Sequence, residues 1–180
     1  MPAFVALLRA VNLPGHNKVT MADLKLAAEG CGLTKARTLL ASGNIVFECS
    51  ARSSSALETQ LEKTLAKELK VETPVIIRSA AEWRGVIDAN PFPAEAKKDP
   101  GHLLVMPLKG KPSADRVAEL AKAIPGREKV KASGRELYLY YPDGVGKSRF
   151  TGAIIDRKIG LAGTARNWNT ALKLMALLEG

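Results

Sequence analysis

The residues of this chain best suited to hold an anion lie in one stretch near the C-terminal end. Gly144-Val145-Gly146 is followed at once by Lys147-Ser148-Arg149, and an amphipathic helical pattern begins directly afterwards. Backbone N–H groups at the start of a helix carry partial positive charge, and two basic side chains add to it. The spacing therefore predicts an anion site in which Lys147, Ser148 and Arg149 contact the ligand.

A second candidate segment, Arg166-Asn167-Trp168-Asn169-Thr170, precedes the last predicted helix. Asn169 or Thr170 is suited to N-cap that helix, and Trp168 is suited to act as its hydrophobic staple. Arg166 and Asn167 remain, and a guanidinium with an amide can hold a phosphate or the edge of a base. Arg166, Asn167 and Trp168 are therefore added to the predicted anion or nucleic-acid site, with Arg166 expected to converge on Lys147 and Arg149.

The glycine-rich stretch does not predict a nucleotide hydrolase. In a P-loop, four residues separate the first glycine from Gly-Lys-Ser, so that enough backbone N–H groups surround the phosphates. The residue at that first position is Tyr141 here. An ordinary connection, in which the glycines serve the turn and the basic side chains are solvated, is the alternative to an anion site. Both interpretations stay open.

Catalytic and metal-binding residue sets are not evident in the sequence. Ser42 and His16 offer a nucleophile and a base, but no Gly-x-Ser-x-Gly surrounds Ser42, and Ser42-Gly43-Asn44 suits a tight hairpin. Two cysteines, Cys31 and Cys49, and two histidines are too few and too scattered for a metal cage. The sequence predicts no metal and no cofactor.

Positive charge is unevenly distributed along the 180 residues, whose formal net charge is +9. Residues 97–180 hold 16 Lys and Arg against 8 Asp and Glu, which is nearly all of the excess. Such asymmetry predicts an acidic partner, either nucleic acid or a phosphorylated small molecule. The alternative is a solvated basic surface that keeps the protein in solution.

Composition and chain start predict a cytoplasmic protein. The hydrophobic share is 46% and the charged share 25%, both ordinary for a globular chain. No apolar run approaches the roughly 18 residues that a membrane span needs, and residues 1–9 lack the features of a signal peptide. Two cysteines without CxxC spacing fit a reducing compartment. The oligomeric state stays open.

The predicted fold class is α+β, with two pseudo-repeated ferredoxin-like subdomains of the β-α-β-β-α-β type and a docked C-terminal helix. The first subdomain covers residues 1–90, a proline-rich linker residues 91–101, and the second subdomain residues 102–180. No closing strand is predicted in the second subdomain, where a helix over residues 171–178 follows instead. The predicted strands cover residues 4–8, 36–40, 45–47, 74–78, 102–108, 129–132 and 136–141, and the predicted helices begin at Thr20, around Ser53, and at Ser79, Ser113, Thr151 and Ala171.

Two tyrosines on one predicted strand face, Tyr138 and Tyr140, would suit RNA stacking if they were exposed. The RNP1 pattern is absent, however, and aromatic residues make up only 5% of the chain. Core packing with solvated hydroxyl groups is therefore predicted for both.

Six short motifs occur in a recognisable order: Leu7-Leu8-Arg9 to Asn12, Gly15-His16-Asn17-Lys18-Val19, Ser42-Gly43-Asn44, Asn90-Pro91-Phe92, Gly146-Lys147-Ser148 and Arg166-Asn167-Trp168-Asn169-Thr170. In this they resemble the bacterial family DUF1697, a domain of unknown function. The resemblance implies an α+β fold of ferredoxin-like halves and implies no reaction. Arg9, Asn12, Asn17 and Lys18 lie within these motifs and are secondary candidates for the site. Where the family has Arg-Gly-Ile-Asn, Ala10 follows Arg9 here, and Pro14 removes an N–H from the same loop.

Three classes of function therefore fit the sequence. The leading hypothesis is a binding module for a phosphate-bearing ligand, nucleic acid or a nucleotide, centred on the second subdomain. An enzyme that acts on a small anionic substrate would use the same cationic loop to position it. A structural or oligomerising protein without a ligand is the third.

Overall fold

The structure, a computed structural model, describes residues 1–15, 17–51 and 53–180. These residues form two four-stranded antiparallel sheets, each with helices, and a C-terminal helix. The α+β class and the duplicated ferredoxin-like pattern are thereby confirmed. The chain divides into two units, one made of Met1–Gly85 with Lys173–Gly180 and the other of Val86–Leu172. The predicted subdomain limits at residues 90 and 102 stay predictions.

The first sheet has the strand order β2-β3-β1-β4. Its helices start where the sequence provides caps: the Thr20 hydroxyl accepts from the Asp23 N–H at 3.0 Å, and Ser53 accepts from the Ala56 N–H at 3.4 Å. The elements are β1 (Ala3–Leu8), α1 (Met21–Gly30), β2 (Thr34–Leu39), β3 (Asn44–Glu48), α2 (Ser54–Leu69), β4 (Val75–Ser79) and α3 (Ala80–Asp88).

The core of the first unit lies between this sheet and helices α1 and α2. Alternate residues of β1 face the helices, and Phe4 stacks on Phe47 with ring centroids 5.7 Å apart. Leucines recur every four residues along α2 and form one stripe, in which Leu57, Leu61 and Leu65 are buried and Leu69 is half-buried.

Strand β4 forms one edge of the first sheet, and carboxylates close that edge. Alternate backbone N–H groups of β4 donate to three glutamate side chains, two on α2 and one on α3. We call these the β4 glutamates: Glu62 accepts from Val75 at 2.8 Å, Glu58 from Ile77 at 2.8 Å and Glu82 from Ser79 at 2.7 Å. The backbone N–H groups that another strand would need as donors are therefore already bonded.

The opposite edge, strand β2, is irregular. Its register with β3 shifts between Thr34 and Arg37, and Lys35 has a φ of 52°, in the left-handed region. A bulge of this kind bends an edge strand and interrupts regular pairing.

The second sheet has the strand order β6-β7-β5-β8. Its strands are antiparallel, and β6 and β7 form a hairpin closed by the pair Ser133 and Glu136. The elements are α4 (Pro93–Lys98), a 3-10 turn (Pro100–His102), β5 (Leu103–Pro107), α5 (Ala114–Lys122), β6 (Lys129–Ser133), β7 (Glu136–Tyr140), a second 3-10 turn (Val145–Lys147), α6 (Gly152–Ile159), β8 (Arg166–Asn167) and α7 (Trp168–Glu179).

One face of the second sheet packs on α5 and α6. Leu137, Leu139 and Tyr141 share a cluster with Leu120 of α5 and with residues of α6. The Tyr141 ring stacks on Phe150 at 6.0 Å, and its hydroxyl donates to the Phe150 carbonyl at 3.0 Å. This bond holds the segment that enters α6 against the sheet.

The prediction that the second half has no closing strand is wrong. Strand β8 pairs antiparallel with β5, with Leu104 opposite Asn167 and Val105 opposite Arg166. It is two residues long and polar, so neither a period-2 pattern nor an apolar run marks it in the sequence.

Helix α7 also begins earlier than predicted, at Trp168 rather than at Ala171. The Asn167 side chain accepts from the Thr170 N–H at 3.0 Å and so serves as the N-cap. The predicted caps Asn169 and Thr170 lie inside the helix, and Trp168 is its first residue rather than a staple before it. Those three assignments are wrong.

The segment predicted as a linker, residues 91–101, contains α4 and the first two residues of a 3-10 turn. Pro93 stands at the start of α4, where the missing N–H costs nothing. No helix of the described residues has the length and apolar character that crossing a membrane requires.

Candidate anion-binding site

Two basic side chains of the predicted site are presented to solvent. Lys147 ends the 3-10 turn Val145–Lys147, which follows Gly144 at a φ of 85°, and Arg149 lies two residues further on. Both are exposed. Within residues 1–15, 17–51 and 53–180, neither makes a hydrogen bond or an ion pair. We call residues 144–149 the basic loop.

Ser148, between them, is already hydrogen-bonded to a carboxylate. Its hydroxyl donates to Glu128 Oε1 at 2.5 Å and accepts from the Phe150 N–H at 3.0 Å. The serine bond is the main cause that lowers the pKa of Glu128, so this carboxylate is ionised at neutral pH. Ser148 therefore anchors the basic loop and does not offer its hydroxyl to an anion.

Arg166 is in the interior, with 7% of its surface exposed. Its Nη1 donates to the Thr164 hydroxyl at 2.6 Å and to the Ala165 carbonyl at 2.9 Å. Burial lowers the pKa of the guanidinium to about 10, which leaves it charged at neutral pH. Arg166 is thus buried whereas Lys147 and Arg149 are exposed. Asn167 caps α7, and the side chain of Trp168 is buried, with 5% of its surface exposed. Both residues therefore have structural roles at the start of α7.

Asn12, a secondary candidate, joins two loops of the first unit. Its Nδ2 donates to the carbonyls of Val19 and Ala41, both at 2.7 Å, and its Oδ1 accepts from the Val19 N–H at 2.8 Å. Its φ is 56°, a conformation that asparagine tolerates better than most residues. Both N–H groups of the amide and its oxygen are therefore hydrogen-bonded within the chain.

The remaining secondary candidates lie along the same loop. The Arg9 N–H donates to the Pro74 carbonyl at 3.2 Å, and the Asn17 side chain donates to the Glu72 carbonyl at 3.4 Å. Lys18 is exposed. His16, which was considered with Ser42 as a base, lies outside the described residues.

A polar cluster missed in the sequence lies beside the basic loop. Asp99 Oδ2 is 2.9 Å from His102 Nδ1, and it also accepts from the Tyr140 hydroxyl at 2.9 Å. A carboxylate at Nδ1 orients the ring and leaves Nε2 as the outward nitrogen. A Cβ on Gly144 would lie 3.5 Å from that Nε2, so the loop passes close to the imidazole. The Asp-x-x-His spacing was the signal available in the sequence.

Two further bonds tie the neighbouring loops together. Arg127 Nη2 donates to Asp143 Oδ1 at 2.6 Å, and Ser148 bonds to Glu128 as described above. The Asp99 bond is the main cause that raises the pKa of Tyr140. Three acidic residues around the basic loop, Asp99, Glu128 and Asp143, are thus all bonded to neighbours in the same cluster.

The tyrosines of β7 do not offer a stacking surface of the RNA-binding kind. Tyr138 is fully buried, and its hydroxyl donates to the Val86 carbonyl at 2.6 Å. The predicted core packing of Tyr138 is confirmed, but its hydroxyl is hydrogen-bonded in the interior rather than solvated. Tyr140 is half-buried, and the Lys129 ammonium lies 5.9 Å from its ring centroid.

Alkaline pH is expected to test these tyrosine environments. Burial raises the pKa of Tyr141 to about 12 and raises that of Tyr138 further from its ordinary value of 10.0. The stability that they contribute is complete below pH 10 and is lost as pH rises through 12. Arg166, with its pKa lowered to about 10, opposes this loss in the same window, but two tyrosines outweigh one arginine.

Tyrosinate absorbance followed together with circular dichroism measures this effect. We expect ionisation of Tyr138 and Tyr141 to coincide with loss of structure above pH 10, and Tyr141→Phe to remove one ionising group from that transition. Full ionisation of all tyrosines near pH 10 with native circular dichroism retained would contradict the expectation.

The fold and the site together define a two-unit α+β protein with ferredoxin-like sheets and an exposed basic loop. The chain belongs to the family described as protein of unknown function (DUF1697), whose model matches residues 1–138. That range ends before the basic loop and before Arg166-Asn167-Trp168-Asn169-Thr170, so the family match lends no support to either motif.

A solved structure shares the fold along nearly the whole chain. The conserved bacterial protein SP0830 from Streptococcus pneumoniae matches with a TM-score of 0.75 and 20% sequence identity, covering 98% of each chain. At this identity the likeness concerns the fold alone. Comparison with curated proteins gives no match.

Proposed function

We propose that the protein binds a phosphate-bearing ligand, nucleic acid or a nucleotide, through the basic loop. The observation that carries this proposal is the contrast between Lys147 and Arg149, which are exposed and unpaired within the described residues, and the bonded acids around them. Asp99, Glu128 and Asp143 each accept a hydrogen bond from a neighbour. Glu128 keeps its negative charge, because its partner is a serine hydroxyl, but neither Lys147 nor Arg149 forms an ion pair with it or with another described carboxylate, and both cations face solvent.

We propose a smaller site than the one predicted from the sequence. Arg166, Asn167 and Trp168 serve the interior and the start of α7, and Ser148 fixes the loop to Glu128. Lys147 and Arg149 are left as the ligand-contacting residues. The half-buried His102 lies beside Gly144, the first residue of the basic loop, and is a third polar neighbour. Point charges of this kind favour phosphate oxygens and carry no base specificity.

The double substitution Lys147→Ala with Arg149→Ala tests the proposal. Fluorescence anisotropy with a labelled single-stranded oligonucleotide, at several salt concentrations, should show weaker binding. The slope of log K against log salt should fall by roughly 1.4, because two phosphate contacts are lost. The melting temperature should barely change, since exposed charges contribute little to folding.

A matched control is available in the same unit. Lys97 and Lys98 are exposed neighbours on α4, and replacing both with alanine removes the same charge. If both double variants lose the same oligonucleotide affinity, the cause is net charge and not the basic loop. Unchanged affinity in the variant Lys147→Ala with Arg149→Ala would refute the proposed site.

An enzyme acting on a small anionic substrate is the second candidate, and the Asp99–His102 pair favours it. A carboxylate-oriented imidazole next to a loop that carries two cations suits a general base with a positioned anion. A thermal-shift screen with nucleotides and sugar phosphates at two salt concentrations distinguishes this enzyme from a nucleic-acid-binding protein. A saturable shift that salt barely affects, and that His102→Gln abolishes, supports the enzyme. A structural protein without a ligand would show neither effect.

A further inference from the structure

The four sheet edges of the described residues differ in how they are closed. The β4 glutamates bond the outward N–H groups of β4, a bulge interrupts β2, and β8 is only two residues long before the chain becomes helical. Strand β6 has none of these features. It pairs with β7 along all of Lys129–Ser133 without a shift in register, and it contains no proline.

The outward hydrogen-bonding groups of β6 follow from the hairpin. Two residues separate the closing pair Ser133 and Glu136, and such a pair bonds across the hairpin. Bonding then alternates along the strand, so the N–H and C=O groups of Val130 and Ala132 point away from β7. In the part of the chain that the structure describes, the backbone of Lys129–Ser133 makes no hydrogen bond outside the ladder with β7. Ala132 is exposed, so these groups can be reached.

The side chains of β6 determine which strand could pair there. Lys129 and Lys131 lie on one face, while Val130 lies on the other and packs against the core of the second unit. Lys129 is 3.1 Å from Glu95 Oε1. Lys131 lies 5.2 Å from the Phe92 ring centroid, and both lysines act electrostatically on Glu95, so one carboxylate is shared between two cations.

A second copy of this chain is a poor partner for this edge. Antiparallel pairing of two β6 strands about their centre would place Lys131 directly opposite its own copy, and like charges opposite each other destabilise a sheet. Edge lysines discourage self-pairing for this reason. The same charges attract a strand that carries carboxylates on the matching face.

We propose that β6 binds an extended acidic peptide segment, which adds to the second sheet as a further strand. Backbone bonds to Val130 and Ala132 would hold the segment, as in other cases of strand addition. Carboxylates on one face would meet Lys129 and Lys131, and apolar side chains on the other would continue the surface of Val130. This surface is distinct from the basic loop.

A labelled, end-blocked octapeptide that alternates Glu with Val is the probe, titrated by fluorescence anisotropy. Ala132→Pro removes one outward N–H without removing a ladder bond, and a proline is tolerated on an edge strand. It should weaken peptide binding by about fivefold or more. Ala132→Val keeps the N–H and should bind as the parent does. Lys131→Glu, a surface change, should weaken binding to a similar degree.

The proposal is overturned if the acidic peptide does not bind, or if a peptide with Lys in place of Glu binds equally well. Unchanged peptide binding in Ala132→Pro or in Lys131→Glu would also overturn it. So would a dimer of the protein, seen by analytical ultracentrifugation, that Lys131→Glu alters. Should Ala132→Pro fail to fold, Lys131→Glu decides alone. The variant Lys147→Ala with Arg149→Ala should bind the peptide normally, which separates this surface from the proposed phosphate site.

Discussion

Glu58→Ala is expected to lower the free energy of unfolding by about 3 kcal/mol, because it leaves a buried backbone donor without its acceptor. Glu58 is only 6% exposed, and its Oε1 accepts from the Ile77 N–H at 2.8 Å. The N–H lies on the outward side of an edge strand, where no neighbouring strand can replace the lost bond. Urea denaturation of the parent and the variant measures the difference.

Two companion variants identify the cause. Glu58→Gln keeps an oxygen acceptor and should cost less than Glu58→Ala. Glu62→Ala removes the equivalent acceptor from Val75 at a half-buried position, where water can substitute, and should also cost less. Equal losses in Glu58→Gln and Glu58→Ala would show that the hydrogen bond to Ile77 is not the cause.

Gly43→Ala is expected to cost about 3 kcal/mol for two separate reasons. Gly43 has a φ of +86°, where an L side chain is disfavoured by about 1–2 kcal/mol. A Cβ there would also lie 2.7 Å from Val11 Cγ2 and 2.9 Å from Leu8 Cβ. Leu8 and Val11 are buried, so relief requires the core to shift, which adds about 1–3 kcal/mol.

Gly32→Ala is the matched control for this substitution. Gly32 has a φ of +93°, but nothing lies within 4 Å of the position that its Cβ would take. Thermal or urea denaturation should therefore show a loss of about 1–2 kcal/mol in Gly32→Ala, from the backbone alone. A Gly43→Ala variant no less stable than Gly32→Ala would mean that the contacts with Val11 and Leu8 relax without cost.

The sequence was sufficient for elements that repeat a pattern over several residues. The helix starts at Thr20 and around Ser53 are local features, and the structure has caps at both places. Strand β8 was not predicted, because two residues show no periodicity. Helix α4 was not predicted, because the prolines around Pro93 are typical of a linker.

The candidate site could be predicted only in part, for a physical reason. Exposure depends on packing between segments distant in the chain, so the sequence did not distinguish the buried Arg166 from the exposed Lys147. The bond between Ser148 and Glu128 joins residues 20 positions apart, and that between Glu58 and Ile77 joins residues 19 apart. Such pairs leave no mark in local spacing, so the sequence did not indicate that the glutamates of α2 bond to β4.

The composition of the first unit has a consequence for biosynthesis. Met1–Gly85 is joined in that unit by Lys173–Gly180, the end of α7. Arg37 Nη2 donates to the Leu177 carbonyl at 2.5 Å, and Arg84 forms an ion pair with Glu179. At the usual speed of translation these partners emerge from the ribosome roughly 5 to 19 seconds after residue 85. Until residues 173–180 are made, a nascent chain therefore carries the first sheet with the surface around Arg37 and Arg84 still uncovered and available to a chaperone.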